Sequence, residues 1–378
     1  MTATAPSSSG AQLFIGLMSG TSLDGVDGVL VDFSGDQPHM LGHQSMPFES
    51  ALKHELLALN SPTDHELHRA ALAANGLVRV YAQTVHTLLA TTRTHAHEVR
   101  AIGAHGQTVR HQPGAFDGIG YTLQLNNPSL LAELTGIDVV ADFRSRDVAA
   151  KGQGAPLVPV FHQGIFGLHG QTVCALNLGG IANLSVLHAS GEVFGFDCGP
   201  GNALLDHWCH QHTGLSFDDR GAWGATGTVI EPLLQTLLAE PFLSQTPPKS
   251  TGRDLFHPTW LMQKLSAFAN APAHDVQATL TEFTARACIN DVLEYAPGAQ
   301  ALIVCGGGAF NELLISRLQA GLPHLRVQSS AEHGMPPLQV EAAAFAWLAR
   351  QTLLGLPGNL PKVTGAQGAR ILGGIFKA

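Results

Sequence analysis

The sequence predicts an α/β fold of two domains with a cleft between them. Three observations carry that expectation: strands and helices alternate along the chain; a strand–turn–strand element with a tip of small residues occurs once in each half; and no low-complexity linker separates the halves. At 378 residues the chain is long enough for two medium cores. The domains are expected at 11–150 and 151–338, with the junction near 145–172. The helix within 339–378 is expected to pack back on the first domain.

In the first half, residues 12–18 (QLFIGLM) read as a short apolar strand entering Ser19-Gly20-Thr21-Ser22, and Val26 to Phe33 as its return. Leu, Ala and Val recur at three- and four-residue spacing over about 49–60 and 66–96, which predicts helices. A strand then enters Gly103-Ala104-His105-Gly106-Gln107. A helix near 128–135 and a strand at 137–141 follow, the latter ending in Asp142-Phe143-Arg144. In the second half, Val173 to Leu178 reads as a strand, Gly179-Gly180 as a turn and Ala182 to His188 as the return. An arm at 192–197 runs into Phe196-Asp197-Cys198-Gly199-Pro200-Gly201. Helices are expected at about 201–212, 228–239 and 274–294. A buried strand, Ala301 to Cys305, enters Gly306-Gly307-Gly308 and a helix at 309–320, and a last helix, 339–353, holds Glu341 among alanines.

The repeated element points to chemistry. A turn of small residues exposes consecutive backbone N–H groups that phosphate oxygens can reach. Two such hairpins, Gly16–Asp27 and Asn177–Ser185, can grip a polyphosphate from both sides of a cleft. The third element, Val304 to Asn311, is a strand running through glycines into a helix start, which suits a docked nucleotide. Each alone is ordinary loop chemistry; the three in this order are specific. Competing motifs are absent: there is no G-x-x-x-x-G-K-[ST], no G-x-G-x-x-G opening a βαβ unit, and Ser19 lacks the preceding glycine of a nucleophile elbow. His207, Cys209, His210 and His212 have no second Cys/His pair at zinc spacing and read as a solvated helix face.

Composition excludes further classes. Hydrophobic residues make up 45% and charged residues 13%, which argues against disorder, and the net charge of −9 argues against non-specific nucleic-acid binding. The N-terminus lacks the basic and apolar regions of a secretory signal, and no apolar run approaches the roughly 20 residues of a membrane span. Five scattered cysteines read as reduced thiols, so the expected location is the cytoplasm.

Long blocks of the chain resemble the anhydro-N-acetylmuramic acid kinase family. They are Gly16 to Asp27, Gly103 to His111, Ala141 to Arg144, Gly154 to Pro159, Leu176 to Asn183, Phe196 to Asn202, Pro248 to Arg253 and Cys305 to Asn311. Lys151 is a departure, standing where a glycine is expected. The resemblance implies the two-domain actin/hexokinase/Hsp70-like ATPase fold, with ATP and Mg²⁺ as cofactors and an amino sugar as partner. No nucleic acid or membrane partner is implied, and a homodimer is a possible assembly. The implied reaction is phosphorylation at O6 of 1,6-anhydro-N-acetylmuramic acid while water opens the anhydro bridge at C1, giving N-acetylmuramic acid 6-phosphate in peptidoglycan recycling.

O6 is an ether oxygen with no proton to lose, so the base is needed by the water attacking C1. Asp197 is the expected base; its other reading is a cap on the helix near Asn202. Asp206, in that helix, reads as helix-stabilising. Arg144 is expected to hold the lactyl carboxylate, its other reading being an ion pair with Asp142 or Asp147. Glu341 is expected to bond sugar hydroxyls or to be a surface residue, and His105, Gln107 and Asn127 are further expected sugar contacts. For ATP, Gly20, Thr21, Ser22, Leu23, Asp24, Gly25, Val26 and Asp27 form the first phosphate hairpin and Gly179 and Gly180 the second, with Gly306, Gly307 and Asn311 near adenosine. Asp24 or Asp27 is the carboxylate nearest Mg²⁺, through water. Two other readings are a related sugar or acyl kinase, which would phosphorylate a free 6-hydroxyl without hydrolysis, and a non-catalytic or chaperone-type ATPase, which would need an appended peptide-binding segment.

Overall fold

A computed structural model describes residues 11–378 other than Thr21, Ser22, Asp24, Asp36, Arg253 and Asp254. The first half opens with β1 (Leu13–Met18), β2 (Gly25–Asp32) and β3 (His39–Pro47), then helices α1 (Ser50–Ala58) and α2 (Glu66–Thr92). Next come β4 (Val99–Ala104), a hairpin of β5 (Gln107–Pro113) and β6 (Gly120–Leu125), α3 (Pro128–Thr135), β7 (Val139–Ala141), α4 (Ser145–Ala149) and α5 (Pro159–Phe166). The second half holds β8 (Val173–Leu178), β9 (Ile181–Leu187), β10 (Val193–Pro200), α6 (Ala203–Thr213), α7 (Glu231–Leu238), α8 (Pro258–Lys264) and α9 (Ala273–Tyr295). It continues through β11 (Ala301–Cys305), α10 (Glu312–Gly321), β12 (Arg326–Ser329), α11 (Val340–Leu353), α12 (Pro361–Thr364) and β13 (Gly374–Phe376).

The two large sheets are copies of one design. In the first, β3, β2 and β1 meander antiparallel, and β4 and β7 continue parallel to β1; the order β3-β2-β1-β4-β7 is extended by β13. In the second, β10, β9 and β8 meander likewise, and β11 and β12 continue parallel to β8. The inner parallel strands β4, β8 and β11 are mostly apolar and buried, as strands covered by helices on both faces are.

Two helices link the sheets. α5 follows the first sheet but packs on β9 and β10, and α11 follows the second sheet but packs on β1 and β4. α11 lies so near the strands that a Cβ at Gly16 would stand 1.8 Å from Ala342 O, and one at Gly103 2.0 Å from Phe345 O. The alanines of α11 allow the same approach from the helix side. One core cluster therefore runs from Phe14 and Val140 through Phe345 and Phe161 to Val173 and Ile303.

Several expectations are adjusted. The helix expected over 66–96 ends at Thr92, because Arg93 takes a left-handed φ of 56° and closes it. The helix expected over 309–320 starts later: residues 307–310 form a 3₁₀ turn, and Asn311 caps α10 by accepting from Leu314 N. The arm expected at 192–197 continues to Pro200, and of 339–378 only Val340–Leu353 is a long helix.

Candidate functional site

The second sheet builds a polar row at the ends of its strands. Cys305, Asn177, Asn183 and Asp197 are successive cross-strand partners on β11, β8, β9 and β10, and directly opposite residues share a face. Asn177 is 3% exposed and Asp197 7%, so polar groups stand here in a buried row. Asn183 Oδ1 has no hydrogen-bond partner among the described residues.

Asp197 does not cap α6, whose N-terminus is preceded by Asn202. Its Oδ2 instead accepts from Thr251 N at 2.9 Å. Burial pushes its carboxyl up to about 7, against the pull of the Thr251 N–H, Arg144 and Lys249. A carboxyl that titrates near neutrality can take and return a proton.

Arg144 approaches from the end of β7. Its Nε and Nη2 donate to His105 Nε2 at 3.1 and 3.0 Å, and Nη1 donates to Gly154 O at 2.8 Å. His105 must be neutral to accept these bonds; burial first, and then the guanidinium, holds it well below its ordinary pKa. No ion pair joins Arg144 to Asp142 or Asp147 among the described residues. Asp147 instead accepts from Gly154 N, Asn359 and Thr364, while Asp142 accepts from Ser145 N. The charges acting on Arg144 are those of Glu341, Asp197 and Asp147. His111, on β5, also stands in its field and is pushed down to about 4, chiefly by burial.

Glu341, in the first turn of α11, is not a surface residue. Burial raises its carboxyl, Asp27 adds to that, and Arg144 and a hydrogen bond with Asn177 oppose it. The expected base, carboxylate clamp and hydroxyl acceptor thus come from three distant segments to one place. His105 and Gln107 flank it, but the hydrogen bonds of His105 run to Arg144, and Gln107 Nε2 donates to Gly20 O at 3.2 Å. Asn127 is engaged elsewhere: it caps α3 through Leu130 N and donates to Asn75.

At the side expected to hold the nucleotide, the carbonyls of Gly179 and Gly180 accept from Asn202, Gly201 and Ala203 N–H groups, and the hairpin tip carries no side chain. Gly306 has φ 78°, and a Cβ there would meet Leu178 backbone at 2.8 Å, so β11 turns sharply beside this tip. In the first hairpin, Leu23 N donates to Gly20 O, and Asp27 on β2 faces His43 at 3.2 Å. Gly25 and Val26 begin β2. Thr21, Ser22 and Asp24 lie outside the described residues. Ser19 is tied to Tyr81 and to Gly106 O, a structural role. The His212 ring packs tilted against Trp208, and Cys209 faces Thr213. Among the described residues no group of three metal-ligating side chains converges.

Lys249 was not legible as part of this site. It lies in a polar stretch, Pro248-Lys249-Ser250, and only the fold shows it buried beside Asp197.

Two copies of one strand meander, with a polar site at the strand ends, are the arrangement expected of the actin/hexokinase/Hsp70-like fold class. A family model described as anhydro-N-acetylmuramic acid kinase matches residues 12–378. Proteins of that name from Variovorax paradoxus and Albidiferax ferrireducens are 62% and 61% identical, covering 97% of this chain in each case and 99% and 100% of the relatives. The chain belongs to the anhydro-N-acetylmuramic acid kinase family. Among solved structures, the activator of the 2-hydroxyisocaproyl-CoA dehydratase from Clostridium difficile with bound ADPNP aligns at 12% identity and a TM-score of 0.47, over 91% of this chain and 98% of that one.

Proposed function

We propose that this chain transfers the γ-phosphoryl group of ATP to O6 of 1,6-anhydro-N-acetylmuramic acid while water opens the anhydro bridge, giving N-acetylmuramic acid 6-phosphate for peptidoglycan recycling. The observation that supports this most is the meeting of Asp197, from β10, and Glu341, from α11, at Arg144 on the end of β7, whose guanidinium acts on both carboxyls.

Asp197 takes a proton from the water as its oxygen bonds to C1. The C1–O6 bond breaks, and the released O6 takes the phosphoryl group in place of the ADP oxygen. The carboxylate also faces the positive charge that develops at C1. Arg144 keeps two N–H groups on neutral His105 and one on Gly154 O, which aims the rest of the guanidinium at the lactyl carboxylate. Glu341, held by Asn177, accepts from sugar hydroxyls, with His105 and Gln107 along the sugar side.

ATP supplies the phosphoryl group, with Mg²⁺ neutralising charge on its phosphates. The side-chain-free tip at Gly179 and Gly180 fits phosphate, with the first hairpin, Gly20 to Asp27, as its expected counterpart, and Gly306, Gly307 and Asn311 fit the adenosine side. Mg²⁺ would be held by phosphates and water, with Asp24 or Asp27 the nearest carboxylate. The five cysteines are free and buried, which suits a reducing cytoplasm. No helix of the described residues is long and apolar enough to cross a membrane.

Turnover in ¹⁸O-labelled water tests the reading. The label should appear at C1 of the product and not in its phosphate. Label in the phosphate would mean that water attacks phosphorus, and the coupled mechanism would fall.

A further inference from the structure

Beside Asp197 lies a buried ammonium that the reaction above does not use. Lys249 is 4% exposed, although lysine is rarely buried without a partner. Its Nζ donates to Leu243 O at 3.2 Å and faces Asp291 Oδ1 at 3.4 Å. It stands 5.3 Å from the ring centres of both Phe196 and Phe242. The backbone around it grips Asp197 twice: Asp197 N donates to Lys249 O at 3.1 Å, and Thr251 N donates to Asp197 Oδ2 at 2.9 Å.

We infer that Lys249 is a positioning residue for Asp197, its ammonium anchoring the backbone clamp and placing a cation beside the carboxylate. The inference rests on Asp197 being the base. Two cations face Asp197, Arg144 and Lys249. Arg144 is engaged when it grips the lactyl carboxylate, whereas Lys249, between two rings and beside Asp291, lies away from the substrate. Without it, a carboxyl already pushed up by burial would hold its proton at the pH where it must accept one.

The other groups packed around β10 do not replace this charge. From α9, Asp291 is pushed up to about 6 by burial, with Lys249 drawing it down; Glu294 is acidic, and Tyr295, pushed up to about 12, packs on Phe196. The Cys198 thiol is driven up by burial beside Cys288 and Asp291. From α5, His162 is neutral, pushed down to about 3 by burial and bonded to Ser185. From α12, Lys362 is exposed and paired with Glu192.

The test is the pH dependence of kcat/KM for the anhydro sugar at saturating ATP and Mg²⁺. It compares wild type, Lys249→Arg, Lys249→Met, the double variant Lys249→Met/Asp291→Leu, and Asp197→Asn. Lys249→Met should move the acid limb upward by about one unit, a loss of about fivefold at pH 7 that is recovered at higher pH. Lys249→Arg should keep the limb in place. The double variant removes both buried charges, a replacement that ordinarily preserves folding, so it reports even where Lys249→Met alone does not fold. A purely structural lysine would change melting temperature and leave the limb unmoved. An unmoved limb in the folded double variant, with Asp197→Asn inactive, overturns the inference. Near-normal turnover by Asp197→Asn would overturn the assignment of the base instead.

Discussion

Asp197 carries opposing demands. As the proposed base it must be an anion, yet burial raises its carboxyl from 3.8 to about 7. The folded protein therefore binds this proton more tightly than the unfolded chain. The stabilisation from that proton is fully present below about pH 4 and is lost as pH rises through about 7. Asp197→Asn removes the charge and keeps an oxygen for the Thr251 N–H. We expect it to lower turnover by about 10³-fold or more, with ATP affinity nearly unchanged. The same variant should be more stable than wild type at pH 8, by on the order of 2–4 kcal/mol for a three-unit shift, with the gain vanishing near pH 4. Urea unfolding at both values checks this, and a variant less stable at pH 8 would show that the carboxylate is well solvated. Lys151 shows another residue-scale tension: it sits at φ 66°, the left-handed region, which is the physical reason a glycine is expected there.

The helix that joins the halves gives a sharper test at the scale of an element. α11 contacts β1 and β4 through Gly16 and Gly103, and what a methyl group would meet at either is backbone carbonyl, which cannot rotate away. Gly103→Ala should cost about 3 kcal/mol. Because Glu341 rides on the same helix, sugar KM should rise along with the loss of melting temperature. A variant that melts like wild type would mean that helix and strands are not closely packed. At this scale the sequence was informative wherever apolar periodicity was strong: β1, β2, β8, β11, α2, α9 and α11 were all legible. β3 was not, since His39, His43, Gln44 and Ser45 give a half-exposed strand no apolar alternation. The β5–β6 hairpin, β12 and β13 are short or at sheet edges, where pairing rather than composition makes the strand. Of the candidate site residues, Asp197, His105 and Gln107 were legible beside glycines, Arg144 at the end of a strand and Glu341 as a lone carboxylate in an apolar helix. Their pairings, such as Arg144 on His105 or Lys249 under Asp197, depend on strands far apart in sequence meeting in three dimensions.

For the whole molecule, the duplicated sheets were visible as a repeated strand–turn–strand element, but the exchange of α5 and α11 between them was only half visible. α11 was expected on the first sheet; α5, packed on the second, lies in a stretch without a clear period. The two helices meet through Phe161 and Trp347, ring centres 6.3 Å apart, and are the main connection that could act as a hinge. Across the cleft, Ser250 reaches Gln153 at 3.3 Å, and the charges of Arg144 and Asp197 face each other, so both lobes contribute to one site. A ligand gripped from both sides binds the closed arrangement better than the open one and draws the population toward it. We therefore expect ATP and the anhydro sugar together to reduce the radius of gyration, with either alone giving a smaller change, because each fills only part of the interface. Small-angle scattering on the full chain, with a non-hydrolysable ATP analogue to hold the ternary complex, reads this directly. If the profiles with and without both ligands superimpose, α5 and α11 form a rigid brace, and the site is assembled before substrate arrives.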